Sequence, residues 1–282
     1  MNASSTARRG RRTAHRSARQ AANSPAMEGA ARWGLAARGV IYLFVGVLAL
    51  QIAFGDAGEQ ADRGGALHTL AERPFGSVLI WAIGIGMAGM AVWRLSEVVV
   101  GASGRDGRKA SKRLQSAARF VIYAVIATSV LTYAAGDRGG SESSDQKSKD
   151  ATARVMELPA GPWLVGLVGA GLVVAGLWIA VRAVQRKYRE HLKVSAMSRR
   201  SRKAVDVLGV GGGVCRGALF AAAGGFAVKS ALSFDPDKTK GVDDTLRSFA
   251  ETPAGPWLLA AVAAGLVLFG LFSLAMARWR KV

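Results

Sequence analysis

Six runs of about twenty apolar residues alternate with polar connectors along the 282-residue chain, at 35–54, 75–93, 117–135, 160–181, 207–232 and 254–277. A soluble helix would interrupt such a run with a polar stripe every 3.6 residues, and these runs mostly lack one. Twenty residues rising ~1.5 Å each cross ~30 Å, the thickness of a bilayer's hydrocarbon. The pattern predicts an all-α integral membrane protein with six transmembrane helices.

The polar positions that punctuate the runs recur in threes. Arg38 and Asp56 bracket the first span, Arg119 and Asp137 the third, and Arg216 and Asp235 the fifth, at separations of 18, 18 and 19 residues. An aromatic residue follows each arginine by four positions: Tyr42, Tyr123 and Phe220. The even spans open on "ERPFGSVL", "ELPAGPWL" and "ETPAGPWL", with Pro74, Pro159 and Pro253 in equivalent places. Gly86, Gly171 and Gly265 come twelve residues later, and Trp93, Trp178 and Phe272 nineteen later. Coincidence at several fixed offsets marks an internal repeat. The chain therefore reads as three tandem two-helix hairpins, 31–100, 117–184 and 207–282, after a basic tail, 1–30, and joined by basic linkers, 101–116 and 185–206. The stretches "ALHTLAERP", "ATARVMELP" and "DTLRSFAETP" before the even spans are expected to form small surface helices.

Charge orients this scaffold. The net charge is +19, but its distribution argues for a membrane rather than nucleic acid. The two tails and the second and fourth connectors carry 25 Lys and Arg, and the other three connectors carry 9. Basic segments stay inside, so both termini are expected in the cytoplasm. Fourteen of the 19 acidic residues lie on the other side, in agreement. The tail has almost no large apolar residues and is expected to be disordered, its arginines meeting anionic lipid headgroups. The linker "RKYREHLKVSAMSRRSRK" is expected to do the same, and neither segment contains a nucleic-acid-binding module.

The repeat also suggests roles for single residues. Arginine to aspartate spans ~26 Å of helix, close to a hydrocarbon thickness, so Arg38, Arg119 and Arg216 are expected as interfacial anchors reaching outward to headgroups. Tyr42, Tyr123 and Phe220, one turn on, would pack on the arginine stems of their own helices. Thirteen residues after each arginine stand Gln51, Thr132 and Lys229, all polar, which three like-oriented hairpins could gather around a pseudo-threefold cavity. Gly209, Gly213, Gly217 and Gly225, with Ala221, place a small residue every four positions, as a groove for close helix packing. Glu97 could pair with Arg94 or Arg38.

The threefold pattern, with "AARGVIYL" opening the first hairpin and "DPDKTKGVDDTLRSFAETPAGPWLL" in the third, resembles a family of bacterial membrane proteins catalogued as domain of unknown function 1206. The similarity covers about residues 31–281 and implies tandem two-helix repeats, with no established activity to carry over. The second hairpin departs most, with the insertion "GDRGGSESSDQKSKD" and no glycine after Arg119.

Catalytic chemistry is not legible. His15, His68 and His191 are dispersed, and Cys215 is single, so it reads as a packing residue. "GIGMAG" fits a dinucleotide fingerprint only in letters, because it lies inside a span. "DPDKTKGVDD" fails as a calcium loop, since Lys240 occupies the turn-glycine position. No cofactor, metal or enzymatic activity is expected. The reading is a non-enzymatic accessory or scaffold protein of a bacterial cytoplasmic membrane, touching lipid and compatible with an unidentified membrane-protein partner. The alternative is a small-solute or ion carrier or channel.

Overall fold

The computed structural model describes residues 25–54, 61, 63–101, 109–136, 144–250 and 255–280, with nine α-helices among them. Six are long: α1 (Pro25–Ala53), α3 (Gly76–Val100), α4 (Ala110–Ala134), α6 (Gly161–Val184), α7 (Arg199–Ser233) and α9 (Gly255–Trp279). All six are long and apolar enough to cross a membrane. Three are short: α2 (Arg63–Ala71), α5 (Ser144–Met156) and α8 (Val242–Ala250). They occupy the places expected of the small helices before each even span. The protein is a multi-pass membrane protein of three hairpins, α1/α3, α4/α6 and α7/α9. Asp56, Asp137, Pro253 and residues 1–24 lie outside the described residues.

Helix starts run further into polar sequence than hydropathy alone predicts. α1 begins at Pro25 rather than 31, α4 takes in the second half of its linker, and α7 starts at Arg199. Arginine and lysine are good helix formers, so an apolar span extends readily into a basic flank. At α7 the start is fixed by Ser198, whose hydroxyl accepts a hydrogen bond from the Ser201 N–H at 3.1 Å.

The second helix of each hairpin packs on the first helix of the next: α3 on α4, α6 on α7 and, closing the series, α9 on α1. Within hairpins, α1 packs on α3 and α7 on α9. Among the described residues α4 and α6 share no packed face. The helices therefore run α6, α7, α9, α1, α3, α4 around an incomplete ring that is open inside the second hairpin.

Glycine sets the spacing between hairpins. A Cβ on Gly217 would lie 2.6 Å from the Gly176 carbonyl oxygen, and one on Gly224 would lie 2.6 Å from that of Gly169. The same antiparallel contact recurs where the chain closes, with a Cβ on Gly270 meeting the Gly39 oxygen at 2.9 Å. Small-residue pairs of this kind let helix backbones touch in a solvent that supplies no hydrophobic drive. The expected stripe on α7 needs one correction. Gly209, Gly213 and Gly217 are in contact, against Tyr188, Ala183 and Gly176, but nothing lies within 4 Å of Gly225. A strict four-residue repeat drifts ~40° around the helix at each step, so the contact passes to Gly224.

The entry to the even spans is a tight turn. Phe75 and Ala160 adopt left-handed backbone at φ 62° and 63°, and the glycine after each has no room for a side chain. A Cβ on Gly76 or Gly161 would collide with the carbonyl oxygen of Leu70 or Val155. The chain thus folds back from each surface helix directly into the following span. At this end the three repeats are tied together through α8, where the Asp243 carboxylate accepts from the Ala61 N–H at 2.8 Å and Asp145 accepts from the Asp244 N–H at 3.1 Å.

These contacts separate two glycines twelve residues apart on one helix. Gly213→Leu would drive a side chain into Ala183, 2.5 Å from an added Cβ. Overpacking costs about 1–3 kcal/mol, so the unfolding midpoint in detergent should fall by roughly 3–10 °C. Gly225→Leu should leave the midpoint within about 1 °C of wild type, because its surroundings are open.

A buried arginine cluster as candidate site

The first helices of the three hairpins, α1, α4 and α7, each start at the end of the bundle where the start of α1 meets the end of α9, marked by the Arg32 guanidinium donating to the Arg278 carbonyl at 3.2 Å. Side chains lean toward the N-terminus of their helix, so Arg38, Arg119 and Arg216 all tilt back toward that end. Their azimuth is set by the helix packing. Gly39 and Gly217 face α9 and α6, which turns the preceding Arg38 and Arg216 toward the inside of the ring.

There the arginines meet aromatic rings and hydroxyls from other helices. Arg216 donates from Nε to the Tyr42 hydroxyl at 3.0 Å, and its guanidinium carbon lies 4.9 Å from the Phe269 ring centroid and 5.0 Å from that of Phe220. Arg38 donates to the Ser273 hydroxyl at 3.2 Å and the Tyr123 hydroxyl at 3.3 Å, with the same Phe269 ring 5.3 Å away. Arg94, only 6% exposed, donates to Glu97 at 2.6 Å, and the Ser116 hydroxyl donates to the same carboxylate oxygen at 3.0 Å. Trp93 carries two cations, with Arg94 at 4.1 Å and Arg280 at 4.6 Å from its centroid. The Nε atoms of Arg94 and Arg280 are buried without a hydrogen-bond partner.

Like charges are close throughout. Arg94 and Arg216 bear electrostatically on Arg119, as Arg94 and Arg38 do on Arg280, and Glu97 is the carboxylate acting on both. Glu97 thus serves Arg94, Arg119 and Arg280, while Arg38 and Arg216 are met by hydroxyls and rings. At an effective dielectric of about 20, two like charges ~6 Å apart repel by roughly 3 kcal/mol, and cation–π contacts return ~0.5–2 kcal/mol each. Aromatic faces and hydroxyl oxygens temper this excess without cancelling it, and guanidinium forks are the groups best suited to oxyanions.

The chain covers the cluster from outside. After α6 it makes a 3-10 turn, Lys187–His191, and Lys193 N–H then donates to the Trp279 carbonyl at 2.8 Å. Leu192, 1% exposed, packs beside Trp93, Phe272 and Met276. Tyr188 stands edge-on to Phe272, centroids 5.0 Å apart, and its hydroxyl donates to Asp206 at 3.1 Å. Burial, reinforced by Asp206, pushes the Tyr188 phenol up to about 12.

The expectation of outward anchors is therefore corrected for Arg38 and Arg216, which turn inward and are bound by other hairpins. Depth along the chain was legible, but direction around the helix was not. The expected ring-on-stem packing within a helix is present for Arg216 and Phe220, while Tyr42 and Tyr123 serve arginines of other helices. Glu97 pairs with Arg94, as expected. The structure does not bring Gln51, Thr132 and Lys229 together. Gln51 and Lys229 are exposed, and Thr132 turns its hydroxyl to the Thr128 carbonyl of its own helix at 2.8 Å. Thirteen residues is roughly 220° of helix rotation, so inward-facing arginines place these positions on the other side. Arg280, Ser273 and Phe269 were not anticipated, and the one available signal was an arginine after a Trp at a span's end, at Arg94 and again at Arg280.

A second constellation lies at the far end. Carboxylate oxygens of Asp145, Asp243 and Asp244 come within 4.8 Å of one another. Asp243 is engaged by Arg247 at 2.8 Å and Asp244 by Lys149 at 3.2 Å, so the group acts as a joint between α5 and α8. In the "DPDKTKGVDD" loop Asp235 accepts from the Asp237 N–H at 3.1 Å and pairs with Lys238, which is turn chemistry.

The fold defines the class, a multi-pass membrane protein built of three two-helix hairpins. Within it, the chain belongs to the family described as Domain of Unknown Function (DUF1206), matched once per hairpin over residues 33–101, 114–186 and 211–280. It is similar to the "Uncharacterized protein YxxB" of Bacillus subtilis (strain 168), at 33% identity over 245 residues, covering 86% of this chain and 87% of that protein. No solved structure matches the chain.

Two outcomes are expected of the cluster. Glu97→Gln removes its carboxylate and leaves Arg94 buried and uncompensated, at a cost of about 3–5 kcal/mol in thermal or denaturant unfolding. The double variant Arg94→Met, Glu97→Met should recover most of that loss, since it removes the charge as well. For Tyr188, a folded pKa of about 12 against the ordinary 10 means that the fold favours the neutral phenol. Its contribution to stability is whole below about pH 10 and disappears as pH climbs through about 12. Ultraviolet titration should show a late-ionising tyrosine that is missing in Tyr188→Phe.

Proposed function

We propose that this is a non-enzymatic accessory protein of a bacterial cytoplasmic membrane, both termini inside, that works by holding an anionic group on its clustered arginines. The observation that carries the reading is the imbalance of the cluster: guanidinia from Arg38, Arg94, Arg119, Arg216 and Arg280 that bear on one another through shared neighbours, with Glu97 acting on three of them and two Nε donors unfilled. The groups beside them are phenols, a serine and aromatic rings, a set made for binding. The basic bias of the tails and alternate connectors supports the inside orientation. A carrier of small anions is the second reading, favoured by three like-oriented repeats around one charged interior.

Inorganic phosphate tests the binding reading. In nanodiscs of neutral phosphatidylcholine, at constant ionic strength, phosphate at ten times its Kd should raise the unfolding midpoint by roughly 3–5 °C relative to chloride. Arg280→Gln should blunt the shift. Failure of both phosphate and anionic lipid to stabilise the protein would remove the reading. Phosphate uptake into proteoliposomes, lost in Arg216→Gln, would select the carrier.

A further inference from the structure

The ring is open at one place, and that place adjoins the arginine with the fewest partners. One rule holds in two of the three repeats: the arginine reaches for the aromatic residue that follows the next repeat's arginine by four positions. Arg38 of the first hairpin donates to Tyr123 of the second, and Arg216 of the third donates to Tyr42 of the first. The corresponding acceptor for Arg119 would stand at position 220, which is phenylalanine and has no oxygen to offer. Among the described residues Arg119 makes no hydrogen bond and no ion pair, and it is exposed on its surface.

The opening itself is visible in the glycines of the even helices. Gly86 in α3 receives the Trp33 ring, and Gly265 in α9 receives the Cys215 sulfur, so both hairpins are closed by a side chain of their first helix. Gly171, the counterpart in α6, has nothing within 4 Å. Close to Arg119 in the chain, α4 carries Val121, Ile122 and Val125, each more than half exposed, as apolar surface. Arg113 donates to the Val98 and Val99 carbonyls where α3 ends. Arg119 starts six residues further in, ~9 Å along the helix, but its stem leans back toward that end. Its guanidinium therefore sits at the level where headgroups meet hydrocarbon, with acyl-compatible surface beside it.

We propose that the headgroup phosphate of an anionic phospholipid enters the ring sideways between α4 and α6 and is held by Arg119, assisted by Arg94 and Arg216, with the acyl chains along α4. The phosphate oxygens would accept the guanidinium donors that the repeat rule leaves unserved, and the charge would offset the excess of the cluster. A lipid fits better than a soluble anion because the open side faces the bilayer. This assignment rests on the anion-binding reading and specifies its ligand.

The test is native mass spectrometry from phosphatidylcholine nanodiscs doped with phosphatidylglycerol. Wild type should retain one phosphatidylglycerol per chain. Arg119→Gln should lower that occupancy about tenfold, the loss of a charge-assisted hydrogen-bond pair. The triple variant Arg199→Gln, Arg200→Gln, Arg202→Gln, which strips the surface basic patch, should keep it. Should Arg119→Gln fold poorly, Gly171→Trp serves instead: it fills the opening without touching an arginine, and should expel the lipid while phosphate still stabilises. Retention equal to wild type in both variants, or loss in the triple variant, overturns the assignment. Stabilisation by inorganic phosphate without retained lipid overturns it too, while leaving the anion-binding reading intact. No response to either ligand removes both.

Discussion

Everything in this fold depends on backbones touching between repeats. Where Gly217 meets Gly176, Gly224 meets Gly169 and Gly39 meets Gly270, the second helix of one hairpin lies directly on the first helix of the next. These contacts are short because neither partner has a side chain. Their consequence is rotational. Once Gly39 and Gly217 are committed to a neighbouring helix, the arginine before each has its direction fixed, and that direction is inward. A membrane helix with a larger residue at this position would stand off and could turn its arginine to the headgroups.

The second repeat shows what happens when the rule is relaxed. Phe120 follows Arg119 where the other repeats have glycine at the contact with the preceding hairpin, and within the same hairpin α6 stands away from α4. Arg119 is left without the hydroxyl that Arg38 and Arg216 each find. The departures of this hairpin in sequence and in packing coincide with the one breach in the ring. Elsewhere the same cations are sheathed in aromatic rings, which lets a low-dielectric interior tolerate several of them around Glu97.

Much of this was legible in the chain, and the limit of legibility has a physical form. Spacing along a sequence reports depth in a membrane, and it located six spans, three hairpins, the surface helices and the level of Arg38, Arg119 and Arg216. It does not report azimuth, which packing decides. So the arginines were expected to face lipid, Gln51, Thr132 and Lys229 to face a common interior, and Gly225 to continue a stripe that passes instead to Gly224. Arg280 was hidden for another reason. It lies in a short basic tail that topology rules already explain, and only the closure of α9 on α1 brings it to Trp93.

That closure has a bearing on how the protein comes to be made. Arg216 reaches back 174 residues to Tyr42, and α9, translated after the other five spans, supplies the surface on which α1, translated before them, must rest. Helix α1 therefore enters the bilayer long before α9 exists, with Gly39 and Gly46 bare and Arg38 without its Ser273 and Tyr123 partners. Hairpins can insert one after another, but the interior is completed in a single late step, when α9 returns to α1. Contacts of such high sequence separation are slow to form and leave unfinished surfaces exposed meanwhile. A truncation that removes only α9 would thus undo the first hairpin along with the third.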